Sequence, residues 1–266
     1  MRCGRLAASL SFAASVLVMS AGAAWAAGVA APAKQTSVAQ PRAVNPAVDK
    51  AALDALSKMS AYLRTLQAFQ VTGQTVREVV DDSDQKLQLL GTTSYKVRRP
   101  DGFAIEIAED RKVREVFYDG KSLTVFAPRM GYYATVAAPP TIRQVLKLAA
   151  DKYDITVPLE DLFIWGTDED WRGDLTYGYV VGYSRVAGQD ADQYAFRQKG
   201  VDWQIWIARG DKPLPLRVVI TGTDDPAKPQ FESSLTWDTA PQFAANTFAF
   251  AAPAGATPIV IKSASN

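Results

Sequence analysis

Residues 93–107 read TSYKVRRPDGFAIEI, and the spacing within this stretch decides the fold. Thr93, Tyr95 and Val97 alternate with Ser94, Lys96 and Arg98; beyond Pro100, Phe103, Ile105 and Ile107 alternate with Ala104, Glu106 and Ala108. A period of two belongs to strands with one buried face. Between them Arg99-Pro100-Asp101-Gly102 predicts a type I turn, because proline presets φ at the second position and glycine suits the fourth. Arg99 breaks the pattern: its parity sets it with Tyr95 and Val97 on the apolar face. A cation aimed inward needs a partner, since an unpaired buried charge is very costly. A nearby carboxylate, Asp101 or Glu106, would serve at the rim of the sheet.

The same alternation extends in both directions. Strands are predicted over 69–80 and 86–99, with the acidic turn Asp81-Asp82-Ser83-Asp84-Gln85 between them, then over 102–108, 113–118, 122–127 and 132–136. Asp119-Gly120-Lys121 is a hairpin signal. Short connections imply antiparallel neighbours in a meander. After residue 176 the strands resume over 177–186, 193–198, 201–208, 214–223 and 230–237, with one more short strand at 247–250. Trp203, Ile205 and Ile207 share one face, and Leu214, Leu216, Val218 and Ile220 share another run of the same kind.

Two segments have helical spacing instead. Asn45-Pro46 suits an N-cap and first helical residue, and the helix is expected to reach about Leu66 with Leu56, Met59, Leu63 and Leu66 on one stripe. The second follows Pro139-Pro140-Thr141 and runs from Ile142 to about Tyr153, with Ile142, Val145, Leu146 and Ala149 on its apolar stripe. Residues 154–176 read as a helical turn followed by an acidic loop. The expected fold class is therefore mainly β (α+β): a curved antiparallel incomplete β-barrel of about eleven strands, with the helices covering its concave face.

The N-terminus predicts export. Arg2 and Arg5 precede an apolar run over 6–19 and the small-x-small pattern Ala24-Trp25-Ala26, which together describe a signal peptide over 1–26. Residues 27–44 read as a flexible leader and 45–266 as a single half-barrel domain. Cys3, the one cysteine of the 266 residues, falls inside the predicted signal peptide, so the mature chain would carry no disulfide. Without Arg2 and Arg5 the 29 basic side chains become 27, against 28 acidic ones. That balance favours neither nucleic acid nor an anionic membrane surface as partner, and no second apolar run approaches the length of a membrane span.

Enzyme chemistry has little to stand on. The chain has no histidine, and without cysteine in the mature form the Ser-His-Asp and Cys-His arrangements and the usual zinc ligand sets are excluded. No cofactor motif and no phosphate loop is present. The acidic clusters at 81–84 and 168–170 fall where solvated turns are expected, and neither carries the glycine and distal glutamate of a calcium loop.

Several short motifs resemble one family. Arg99-Pro100 followed by Phe103 resembles the Arg-Pro-x-x-Phe hairpin of the periplasmic lipoprotein-carrier superfamily, the LolA/LolB-like proteins. Asp119-Gly120-Lys121-Ser122-Leu123 with Phe126 and Pro128 resembles their next hairpin, and Phe248-Ala249-Phe250 leading to Pro253 and Gly255 resembles their C-terminal signature. Trp206-Ile207 with Leu214-Pro215-Leu216-Arg217 is similar to a hairpin of related periplasmic sheets. The resemblance spans most of the mature chain, and the longer acidic segment at 154–176 and the leader depart from it. It implies a half-barrel that holds acyl chains under a helical lid, with the arginine before the turn proline latching lid carbonyls. Carried over by position, the latch is Arg99 and the lid includes Ile142, Val145, Leu146 and Ala149. The residues expected to line the cavity are Tyr95, Val97, Phe103, Ile105, Ile107, Leu123, Val125, Trp203, Ile205, Ile207, Leu216 and Val218. The implied partner is a hydrophobic ligand or lipidated protein in the periplasm. The same apolar face could instead be a filled core, in a domain that recognises another envelope protein or senses stress.

Overall fold

The computed structural model describes residues 48–110, 112–160, 162 and 174–263. The predicted signal peptide and leader, and most of the acidic loop after residue 162, lie outside them. In chain order the elements are α1 (Lys50–Thr65), β1 (Ala68–Val80), β2 (Lys86–Arg98), β3 (Gly102–Glu109), β4 (Val113–Tyr118), β5 (Ser122–Ala127) and β6 (Tyr132–Ala137). Then come α2 (Ile142–Tyr153), β7 (Tyr177–Val186), β8 (Gln189–Gln198), β9 (Val201–Ala208), β10 (Pro215–Gly222), β11 (Gln230–Asp238) and β12 (Thr257–Pro258). Neither helix is long and apolar enough to cross a membrane.

All twelve strands join one curved sheet in the order β12-β6-β5-β4-β3-β2-β1-β11-β10-β9-β8-β7. The two halves of the chain form two antiparallel meanders that meet where β1 pairs with β11, Val71 opposite Trp237 and Gly73 opposite Leu235. Among the described residues the sheet ends at β12 and β7 without closing, an incomplete barrel. Its inner face follows the register row by row. Phe69, Val97, Phe103, Tyr118, Leu123 and Val136 are successive neighbours across β1 to β6. That face and both helices make one continuous core, in which α1 contributes Leu56, Met59 and Leu63.

Four local features differ from the expectations or add to them. The cap of α1 is Asp49, whose carboxylate accepts from the Ala51 N–H at 2.9 Å; the helix begins at Lys50, and Asn45 and Pro46 lie outside the described residues. The Arg99–Pro100 peptide is cis, a feature the turn signal did not specify. β8 begins at Gln189, not at residue 193, because the Ala187-Gly188 turn, with φ of 47° and 83°, returns the chain directly into register with β7.

The fourth concerns residues 247–250, which form a turn and not a strand. After β11 the chain crosses the outer face of the sheet to reach β6, where β12 pairs in parallel. Phe250 packs in a nest of Phe117, Phe126 and Tyr133, at centroid distances of 5.4, 5.4 and 5.0 Å. Phe248 is buried under the Arg98 guanidinium, 4.8 Å from its ring centroid. Alternating Phe-x-Phe here seats two aromatic rings on a surface; no neighbouring strand offers backbone hydrogen bonds to make it a strand. Phe248→Ala should destabilise the fold by about 3 kcal/mol, read as a lower urea midpoint at unchanged slope.

Candidate functional site

The concave face takes its character from the inward-facing residues of the strands, and α2 lies over it. A Thr141 cap opens α2, its hydroxyl accepting from the Gln144 N–H at 3.4 Å, and a left-handed Asp154 closes it. One stripe, Ile142, Val145, Leu146 and Ala149, is buried; the rest of the helix is wet. Polar contacts tie this helix and its flanks to the sheet. The Ile142 N–H donates to the Pro100 carbonyl at 2.9 Å, so the hairpin turn next to Arg99 holds the start of α2. The Tyr118 hydroxyl donates to the Pro139 carbonyl at 2.6 Å, just before α2, and the Tyr95 hydroxyl donates to the Pro158 carbonyl at 2.8 Å, just after it. Both tyrosine side chains are fully buried. A phenol presents an apolar ring to the core and one donor at its tip, so it can bridge a sheet and a covering loop without leaving a polar group unsatisfied.

Arg99 stands at the same junction. Its N–H donates to the Gln67 carbonyl at 2.8 Å, and its guanidinium lies 5.8 Å from the centroid of the Phe69 ring. The side chain is half-buried, and burial lowers its pKa. Asp101, one of the carboxylates expected to meet it, is bonded by Arg98 at 3.1 Å instead, because Arg98 shares the outer face with it. Glu106 is exposed, at the outward parity of β3.

Of the residues expected to line the concave face, Tyr95, Val97, Phe103, Ile105, Ile107, Leu123, Trp203, Ile205, Ile207 and Val218 are buried in the central core, and Val125 is partly buried against it. Ile142, Val145, Leu146 and Ala149 pack into the same cluster. Leu216 does not. A bulge between Pro215 and Arg217 shifts the register against β9, and Leu216 packs with Ala191, Trp206 and Val219 in a second cluster. A strict period of two across β10 is broken by that one extra residue.

Tyr118 was missed by sequence reasoning; its signal was parity, since it ends β4 on the same face as Val116, just before the Asp119-Gly120 turn. A cleft of about 350 Å³ opens where α1 faces β8 and β9, lined by Asp54, Lys58, Asp192, Tyr194, Arg209 and Pro213 among others. Asp192 and Arg209 pair within it at 2.6 Å, so its charges largely satisfy one another. No group of three or more potential metal ligands occurs among the described residues.

Burial, with Asp101 and Asp119 adding to it, pushes the Tyr118 pKa up to about 12. Below pH 10 both states of the protein hold the phenol proton. Between about pH 10 and 12 the unfolded chain ionises first, so stability falls as pH rises, by up to about 1.4 kcal/mol per unit for this one group. Tyr118→Phe should lose about 1 kcal/mol at neutral pH and flatten that alkaline decline in urea titrations. In hydrogen exchange, Tyr95→Phe and Tyr118→Phe should each release α2 amides while leaving β1 and β2 protected.

Three solved structures are similar at low identity. One is an uncharacterised conserved protein from Thermus thermophilus, 12% identical over 79% of this chain and 99% of that one, with a TM-score of 0.47. Another is a LolA superfamily protein from Nitrosomonas europaea, 11% identical over 75% and 97%, TM-score 0.35. A third is the lipoprotein LppX of Mycobacterium tuberculosis, 11% identical over 73% and 98%, TM-score 0.38. No curated protein matches the sequence significantly. The family described as "Predicted periplasmic protein (DUF2092)" matches residues 52–262, most of the chain. The protein belongs to that family, and the periplasm is its compartment.

Proposed function

We propose that this chain is a non-enzymatic periplasmic protein that binds a hydrophobic ligand, a lipid acyl chain or a lipidated segment, between its concave sheet face and α2. In this reading residues 1–26 direct export, 27–44 are a leader, and 45–266 act as one half-barrel unit. The observation that carries it is how α2 is attached among the described residues: one apolar stripe, and hydrogen bonds at its ends to Pro100, from Tyr118 and from Tyr95. Arg99 sits at the hinge between sheet and cover.

The magnitudes are matched. Detaching Ile142, Val145 and Leu146 from the core costs on the order of 6 kcal/mol, at about 2 kcal/mol each, and breaking the hydrogen bonds to Pro100, Pro139 and Pro158 about 3 kcal/mol more. An acyl chain that buries about eleven methylenes in their place recovers a similar amount at ~0.8 kcal/mol per methylene. A ligand of ordinary lipid length can therefore offset the opening of the cover. A second reading rests on the burial itself. The concave-face side chains and both helices already form one core, as expected of a domain that recognises a partner protein or senses envelope stress with its interior filled.

Native mass spectrometry of the exported protein separates the two. The carrier reading expects co-purified lipid that detergent displaces; a bare chain with a bound protein partner supports the second. Arg99→Leu should loosen the cover and raise the fluorescence of a hydrophobic dye several-fold, and unchanged dye binding with unchanged stability would remove Arg99 from the hinge.

A further inference from the structure

The concave face is not uniformly apolar. Where β1 runs between β2 and β11 it carries Gly73 and Thr75, with Gly91 and Thr93 beside them on β2 and Ser233 on β11. Gly73 lies opposite Thr93, and Thr75 lies between Gly91 and Ser233 in the register. The hydroxyls lean over the bare glycines. A Cβ on Gly73 would lie 2.5 Å from Thr93 Oγ1 and 2.8 Å from Ser233 Oγ, and one on Gly91 would lie 2.8 Å from Thr75 Oγ1. Glycine is thus required at 73 so that two hydroxyl oxygens can converge on one spot of the sheet.

Both of those hydroxyls are deeply buried, Thr93 at 4% exposure and Ser233 at 0%. Neither oxygen makes a hydrogen bond to a described residue. The Tyr95 hydroxyl donates to the Pro158 carbonyl; its oxygen is still an acceptor within electrostatic reach of Thr93, which works against the burial-driven rise of its pKa, but the pair lacks hydrogen-bonding geometry. A buried hydroxyl without a partner costs stability that valine or alanine would not. Two such groups converging within an otherwise apolar face suit a ligand.

We propose that Thr93 and Ser233 donate to the carbonyl oxygen of a neutral acyl ester, and so set the register of the ligand along the concave face. This rests on the ligand-binding reading above. The patch itself carries no formal charge. The nearest cation along β1 on the same face, Arg77, is already paired with Glu109 at 2.9 Å. A free carboxylate placed here would be buried without compensation, whereas an ester carbonyl needs only the two donors.

The test uses the full exported chain and three probes of matched length: methyl palmitate, palmitate and hexadecane, each competed against a polarity-sensitive fluorescent dye. The wild type should bind the ester more tightly than either of the others. Thr93→Val combined with Ser233→Ala should weaken methyl palmitate by about tenfold, leave hexadecane unchanged, and keep or raise the thermal midpoint. Thr93→Ser, which retains the oxygen, should preserve the ester preference. Ester affinity unchanged in the double variant, or palmitate preferred over its ester, overturns the patch and leaves the carrier reading standing. So does a thermal midpoint several degrees lower with both probes weakened together, since the hydroxyls would then be structural. A wild type that binds none of the three probes overturns both proposals.

Discussion

A sheet that does not close on itself leaves a concave apolar face that other elements must cover. The rest of this molecule follows from that requirement. Twelve strands curve around one side, and two helices cover the hollow. Because a sheet offers its backbone hydrogen bonds only at its edges, the cover cannot be attached by strand pairing. It is attached by a stripe of aliphatic residues on α2, by tyrosine hydroxyls reaching the prolyl carbonyls on either side of it, and by the single backbone bond from Ile142 to the Pro100 carbonyl of the hairpin turn.

This division of labour separates strong from weak attachment. The strands are bound by continuous ladders, such as the pairing of β1 with β2 from Ala68 to Val80. The cover of α2 is held by a few groups whose combined contribution is comparable to that of one buried acyl chain. Elements with few long-range polar ties are those that open first in a native protein. The half-barrel therefore has a rigid wall and one element whose detachment a ligand could compensate. The outer face is finished differently, by a C-terminal strap whose Phe248 and Phe250 seat on aromatic and guanidinium surfaces.

The hairpin at 93–107 shows how much of this was legible beforehand. Its alternation placed Tyr95, Val97, Phe103, Ile105 and Ile107 on the buried face, and the structure has them there. Arg99, set on the inner side by parity, is half-buried beside the Phe69 ring, and burial lowers its pKa. Its neighbours were not legible, because they come from Gln67 and Phe69 at the far end of β1 and only register brings them close. Leu216 failed for a related reason: a single bulge residue reverses facing, and nothing in the local composition of β10 announces a bulge. The family resemblance read from the Arg-Pro-x-x-Phe and Phe-x-Phe motifs identified the architecture, yet the second motif proved to be a strap and not a strand.

Periodicity is a local property, and sequence alone determined what depends on it: the strand and helix segments, their buried faces and the short connections that make the sheet antiparallel; composition added that the chain has no histidine and no cysteine after residue 3. Tertiary structure decided what depends on residues far apart in the chain. Only the pairing of β1 with β11 joins the two meanders into one open sheet. Only the register across β11, β1 and β2 brings Ser233 and Thr93 together over Gly73. Only packing sets Tyr95 and Tyr118 against the carbonyls that flank α2. The physical reason is the same each time: a hydrogen bond needs two groups within about 3 Å, and chain spacing specifies the direction of each group but not the distance between them.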